Sequence, residues 1–328
     1  MEGDALQVRL GNGIEVNGRS RVRLDPRKLE PEAVNCISHA HSDHLPRAVN
    51  GTGAMATEIT LRCASSRLSR EVRYEGAEGI EMLNAGHIAG SSMFFLEGER
   101  TVLYTGDFSP RDRLGMTGAK PRKCDVLIME STFGNPRYVF PPTDHLAGIV
   151  RDWVEDGLNK GAAIFLFAYP LGKSQRLINL LGDLAPYLHG SVFEETQLVK
   201  EDCGPYCLLP YAEDAAKAPF ITICPMSGNN SSLLAYWRRK LGDGKVRTAA
   251  FSGWAADRGY SYRTGTNEGF AISDHADFEE LVSFAAACSP KVIYLTHGFD
   301  ELLAGHIKKR TGIEALPLKR NQAALLDF

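Results

Sequence analysis

The segment NCISHAHSDHLPRA, Asn35 to Ala48, places His39, His41, Asp43 and His44 within six residues, directly after an apolar run. Neutral imidazoles and carboxylates are zinc ligands, and ligands supplied by one short segment are easily pre-organised. His39 and His41 stand two apart, so an extended backbone sends both to one side, and Asp43 and His44 then fall in the following turn. A single histidine is most often structural or at the surface. Three at this spacing with an aspartate make a solvated loop the poorer reading and half of a metal site the better one. Further candidates lie along the chain. His87 sits in NAGHIAGSS, where Gly86 and Gly90 let backbone approach a crowded centre. Asp107 follows a glycine in YTGDFS, and His297 has a similar setting in YLTHGFD. Seven ligands are too many for one zinc and suit two, with one carboxylate bridging. Two metals about 3.5–4 Å apart can hold a hydroxide for in-line attack and stabilise the displaced oxygen, which is the chemistry of phosphodiester or acyl hydrolysis.

Such residues need rigid bases, and the sequence supplies them in a regular way. Short β-branched and aromatic runs end on or beside ionisable residues: VRLD at Asp25, NCISH at His39, EMLNAG before His87 and RTVLYTGD at Asp107. DVLIME ends at Glu130, GFAISDH at His275 and KVIYLTH at His297. Strand ends of layered α/β proteins display site residues in this way. Helical spacing is legible from Thr143, with Thr143 as N-cap and Gly161 as stop, and again from about Gly172, Ser231, Asp277 and Asp300. Residues 143–255 alternate helix and strand with few titratable strand ends. The expectation is an inserted domain at 143–255, within a catalytic domain formed by 1–142 and 256–328.

Composition sets the outer bounds. The 328 residues are 44% hydrophobic and 23% charged, with a net charge of −3, so no general basic footprint advertises nucleic acid and any polyanion site must be local. The longest apolar run, Gly161 to Ala168, is strand-sized and well short of the roughly 18 residues of a membrane span. The acidic start MEGDALQVRL has no secretory pattern, so a cytoplasmic location and no membrane association are expected. Seven scattered cysteines fit a reducing compartment. The close pair Cys203 and Cys207 has no second pair beside it to complete a zinc site.

HAHSDH fits the His-x-His-x-Asp-His signature of the metallo-β-lactamase fold. MESTFG at Glu130, SDHADF at His275, LTHG at His297 and FAYPLGKSQRLINLL resemble its β-CASP nuclease subgroup, and most closely the short bacterial and archaeal exonucleases. The resemblance implies an α/β fold, an αββα sandwich with an inserted β-CASP α/β domain. It implies His39, His41 and His87 on one metal, Asp43, His44 and His297 on the other, and Asp107 bridging. Asp25 would support the metal-binding loop. Asp43, Glu130 and His275 would form the catalytic set, with His275 as general acid on the leaving oxygen and Glu130 orienting it. That pairing agrees with the chemistry, since a carboxylate partner helps a histidine stay protonated near neutral pH. The cofactors would be two divalent ions, zinc first and manganese as the alternative.

The implied activity is hydrolysis of single-stranded DNA or RNA, as a 5′→3′ exonuclease, with partners in DNA repair or RNA processing. The alternatives are an endoribonuclease of RNA 3′-end processing and a small-molecule ester, thioester or lactone hydrolase. Glu130, His275 and the insert argue against the last, because small substrates need none of them. Gly172-Lys173-Ser174 lacks the upstream glycine of a phosphate loop, so no ATP site is expected there. Lys173 and Arg176 are instead the candidates for contact with the nucleic-acid backbone. Trp254 could stack on a base or belong to a core.

Overall fold

A computed structural model describes residues 6–113, 115–203, 209–212, 216–226, 230–320 and 324–325. The Cys203 side chain and Cys207 fall outside the described residues. The fold is mixed α/β, and its contacts divide the chain into two compact units. The first comprises Met1–Asp112, Thr117–Val139 and His275–Phe328; the second comprises Arg113–Met116 and Phe140–Asp274. The divisions thus fall after Val139 and after Asp274, against the 142 and 255 read from sequence. The strand Glu268–Phe270 accounts for the later return, because it pairs in parallel with Val246–Phe251 of the second unit. The longer strand expected to run on to His275 stops at Phe270.

In the first unit a five-stranded sheet and a six-stranded sheet pack face to face. Val16, Val22 and Leu24 of one share a core with Phe94, Tyr104, Val126, Ile128 and Tyr294 of the other. Strand side chains alternate across the sheet, so Leu127, Met129, Ile293 and Leu295 point the other way. They are covered by the helices Phe278–Cys288 and Asp300–Thr311 through Leu281, Phe284, Leu303 and Ile307. The central strands Val126–Glu130 and Val292–Thr296 of the six-stranded sheet are buried on both faces, which explains why VLIME and VIYLT carry nearly unbroken apolar runs.

The second unit is built on a six-stranded, wholly parallel sheet. Ile164, Leu166, Ile221, Ile223 and Ala249 pack under the helices Thr143–Asn159 and Lys173–Leu181. Phe165, Phe167 and Phe220 pack on Trp237 of the helix Ser231–Leu241. Thr143 is the first helical residue and Pro142 occupies the cap position, so the expected hydroxyl cap is not made. Proline there is pre-set for a helix start and has no amide hydrogen to leave unsatisfied. The helices Glu58–Leu68 and Ser191–Cys203 did not stand out in the sequence pattern. Among the described residues no helix is long and apolar enough to cross a membrane.

Candidate metal centre

The histidine-rich segment follows the short strand Val34–Cys36. Beyond the strand, the chain is held by Ile37 N–H donating to the Met55 carbonyl (3.0 Å) and Ser92 N–H donating to the Ser38 carbonyl (2.8 Å). His39 and His41 keep a common side although the regular strand ends at Cys36, and their rings meet edge-on at 4.8 Å. His87 arrives from the turn after Ile80–Asn84, and Asp107 from the turn after Val102–Tyr104. The approach of His87 depends on Gly86, whose φ is +63° and whose missing Cβ would sit 2.5 Å from the Ser109 carbonyl. The crowding that requires glycine there is therefore backbone of Ser109, Gly118 and Ala119.

The ligand atoms of His39, His41, His87 and Asp107 all lie within 4.8 Å of one another. His87 Nε2 is 3.1 Å from His41 Nδ1. The Asp107 Oδ2 stands 3.6 Å from His39 Nε2 and 3.8 Å from His87 Nε2. A tetrahedron with metal–ligand bonds of about 2.05 Å has edges of about 3.3 Å, so these spacings suit one cation. His39 Nε2 is buried with no hydrogen-bond partner among the described residues. Its tautomer is fixed from behind. Ser38 Oγ donates to Asp25 Oδ2 (2.6 Å), so at 3.0 Å it accepts from His39 Nδ1–H, leaving the lone pair of His39 on Nε2. An orphaned acceptor inside a ring of imidazoles and one carboxylate fits a metal.

The second candidate set is looser. His44 Nε2 lies 3.5 Å from Asp107 Oδ2 and 3.8 Å from Asp43 Oδ2. His297 is exposed, with its ring 5.6 Å from that of His44. It has a left-handed backbone (φ 61°) at the end of Val292–Thr296. Asp43 is mostly exposed at the rim.

Charges around this cluster are strongly biased. Burial, reinforced by His44, His87 and His41, holds His39 well below its ordinary pKa, in the neutral form that ligates metals. Burial works against charge on His44 too, but Asp107 and Asp25 outweigh it and raise its pKa to about 10. Burial raises Asp107, with Glu130 adding to the effect. A cation beside Asp107 and His44 would favour the ionised carboxylate and the neutral imidazole, the forms that ligate metals.

Asp25 supports this shell from behind, in a left-handed conformation (φ 47°). Its Oδ1 accepts from Ser38 N–H (2.6 Å). Its Oδ2 accepts from Ser38 Oγ (2.6 Å), His44 Nδ1–H (2.6 Å) and the Tyr104 hydroxyl (2.7 Å). Ser38 and Tyr104 went unnoticed in the sequence. Tyr104 reads as one more aromatic in an apolar strand, and only its position three residues before Asp107 hints at more.

Glu130 ends the strand Val126–Glu130, and its carboxylate faces His275 Nδ1 at 3.0 and 3.1 Å. Burial alone would raise the Glu130 pKa, but His275 and its hydrogen bonds bring it below the ordinary value, so it stays ionised. His275 Nδ1 is also 3.9 Å from Asp107 Oδ2, which puts the pair directly beside the candidate metal-ligand cluster.

Lys173 and Arg176 are placed differently from the expectation. Lys173 begins the helix Lys173–Leu181, is 4% exposed, and gives its Nζ to Asp274 Oδ2 at 2.9 Å. Arg176 donates to the Ser273 carbonyl (2.9 Å) and lies 3.8 Å from Asp274, which Arg113 also holds at 2.9 Å. Lys173 thus has an internal carboxylate where a phosphate was expected. Cys36, Cys63, Cys124, Cys224 and Cys288 are buried free thiols.

No family model matches the chain. A probable DNA ligase of Opitutus terrae is 33% identical over 299 residues, covering 87% of this chain and 28% of that protein. Cleavage and polyadenylation specificity factor subunit 3 of Dictyostelium discoideum is 31% identical over 147 residues, 43% of this chain and 19% of its own length. An RNase J-like protein of Methanocaldococcus jannaschii is 27% identical over 213 residues, 52% of this chain and 50% of its own. The chain spans half or less of each. Among solved structures, a protein of unknown function from Enterococcus faecalis V583 aligns over 98% of this chain and all of that one. Its TM-score is 0.63 at 13% identity, a likeness of fold alone.

Proposed function

We infer that the chain is a β-CASP nuclease of the metallo-β-lactamase fold, a reading its nuclease relatives support, and we propose that it hydrolyses phosphodiester bonds of single-stranded nucleic acid as a 5′→3′ exonuclease. The first unit would be the metallo-β-lactamase αββα domain, a reading supported by its two facing sheets. The second would be the inserted β-CASP domain, a reading supported by its parallel sheet. One observation carries the activity: a largely buried three-histidine and aspartate cluster lies 3.9 Å, at Asp107, from a histidine whose other neighbour is an ionised carboxylate.

His39, His41 and His87 would hold one divalent ion and Asp43, His44 and His297 the other, with Asp107 shared and zinc the expected metal. Bound there, such ions supply an activated water and stabilise charge on the phosphoryl group. The protein's own groups do the rest. Glu130 accepts from His275 Nδ1–H, fixing the ring and favouring its protonated form, so the transferable proton is at Nε2. As water oxygen bonds to phosphorus and the P–O3′ bond breaks, His275 gives that proton to O3′, leaving a 3′-hydroxyl on one product and a 5′-phosphate on the other; the proton shed by the water passes to solvent, from which His275 is reprotonated. Asp25 keeps His44 oriented throughout.

The match to a cleavage and polyadenylation factor favours, as a second reading, endonucleolytic cutting of RNA. Time courses on matched DNA and RNA strands labelled at the 5′ or the 3′ end separate the two. Early release of 5′ mononucleotides supports the exonuclease; internal fragments of RNA alone support the second reading. His275→Ala should lower turnover by about 10²–10⁴-fold with metal still bound. Unchanged turnover in that variant would remove the general acid from the scheme.

A further inference from the structure

His275 lies outside regular secondary structure, three residues before the helix Phe278–Cys288. A general acid on a turn needs that turn held rigidly, and the first unit shows how this is done. Ala276 N–H donates to the Phe108 carbonyl at 2.7 Å. Phe108 N–H donates to Glu130 Oε1 at 2.8 Å. Phe108 directly follows Asp107, so a single residue ties the metal-ligand turn to both members of the Glu130–His275 pair. Its ring is fully buried and packs on Phe284 with centroids 4.5 Å apart.

A second tie lies three residues on. Arg111 forks its guanidinium over two carboxylates, Nη2 to Asp277 Oδ2 and Nε to Glu280 Oε1. Those carboxylates form the capping box of the Phe278–Cys288 helix. Asp277 accepts from Glu280 N–H (3.0 Å) and Glu280 accepts from Asp277 N–H (2.9 Å). Two anions side by side repel, and burial with Asp277 nearby raises the Glu280 pKa despite the arginine. Arg111 offsets that repulsion with two fixed donors, a geometry that lysine does not reproduce.

We infer that Arg111 is a positioning residue for the general acid: by clamping Asp277 and Glu280 it fixes the turn that carries His275 against the 107–111 segment. This rests on the reading of His275 as general acid. The two carboxylates that Arg111 clamps, Asp277 and Glu280, are not among the candidate metal ligands, so its effect should fall on proton delivery and spare metal binding. Displacing a reacting group by about 1 Å costs on the order of 10²-fold.

The leaving group tests this. An oligonucleotide departs as an alkoxide and needs a proton, whereas the nitrophenolate of bis(p-nitrophenyl) phosphate leaves without one. Arg111→Ala and Arg111→Lys are each compared with wild type on both substrates, together with metal content and thermal unfolding. The expected result is a loss of about 10–100-fold in kcat on the oligonucleotide, a change of under about threefold on the nitrophenyl ester, and unchanged metal. Arg111→Lys, which keeps charge without the fork, should fall between. If Arg111→Ala does not fold, Asp277→Asn keeps a cap oxygen while weakening the clamp, and should show the same selectivity. An equal loss on both substrates, or none on either, overturns the inference. His275→Ala runs in parallel: if it too lacks leaving-group selectivity, the general-acid reading fails. If it shows selectivity and the Arg111 variants do not, only the inference about Arg111 fails.

Discussion

Replacing Asp25 with asparagine changes one atom in the support of the metal shell. Asparagine tolerates the left-handed backbone that Asp25 adopts at φ 47°, so backbone strain is not a confounding cost. All four partners of the carboxylate are donors: Ser38 N–H on Oδ1, and Ser38 Oγ, Tyr104 and His44 on Oδ2. An amide has one acceptor oxygen and one donor nitrogen. Its better orientation turns the oxygen to the three Oδ2 partners and leaves its NH2 group against Ser38 N–H. Three charge-assisted bonds then become neutral ones, about 1 kcal/mol each, and two opposed donors cost about 1–3 kcal/mol more. Contacts within one network do not add in full, so we expect a loss of about 2–4 kcal/mol in the unfolding transition of the first unit. His44 also loses the charged partner that sets its ring, which should weaken metal affinity by about 10–100-fold. Urea unfolding of metal-free protein reads the first effect, and competition for zinc with a coloured chelator reads the second. A stability loss under about 1 kcal/mol together with wild-type zinc affinity would refute the claim that Asp25 organises the shell.

Other perturbations separate the remaining parts. Gly298→Ala places a Cβ 2.2 Å from the Ser131 carbonyl at a φ of +66°, so it should cost more than about 2 kcal/mol in chemical denaturation. Retained stability would mean that the His297 turn moves freely. Asp274 is held well below its ordinary value of 3.8: burial opposes its charge, and Lys173, Arg113 and Arg176 outweigh burial. Its native pKa is depressed, so its contribution is full above 3.8 and is lost as pH falls from there toward the lowered value. The stability gap between wild type and Asp274→Asn should therefore narrow below about pH 3.8 and stay constant from pH 5 to 7, as followed by calorimetry; a gap that widens in acid would contradict this sign. Zinc at 1,000 times its dissociation constant should stabilise the first unit by about 4 kcal/mol over chelator-treated protein, and an unshifted melting curve would argue against a site formed only in the folded state.

The residues that the fold gathers into the candidate site were legible in the sequence because each is marked locally, by spacing or by the strand it ends. His39 and His41 declare a common side through their spacing, and Glu130 and His297 are marked by the apolar runs VLIME and VIYLT that stop at them. The alternation of helix and strand in the second unit was legible too, with AIFLFA as a strand-sized apolar run, whereas the parallel pairing of its strands was not read from the sequence. The supports were not legible, and the reason is physical. The bonds from Tyr104 to Asp25 and from Arg111 to Asp277 join residues 79 and 166 positions apart. No spacing rule reaches across such separations, and each residue type has an ordinary local reading, as core aromatic or as exposed cation.

Lys173 shows the same limit in the opposite direction. The family resemblance makes this cation of the inserted segment a candidate for contact with a phosphate backbone. Its fate is decided 101 residues away, by Asp274, whose carboxylate would be prohibitively costly to bury without cations around it. The demand runs from the buried anion to the cations. A carboxylate that is 2% exposed must recruit positive charge, and the sequence shows Asp274 only as one acid in SDHAD. Local pattern therefore identifies groups that can do chemistry, and burial elsewhere in the fold determines which of them remain available to a ligand.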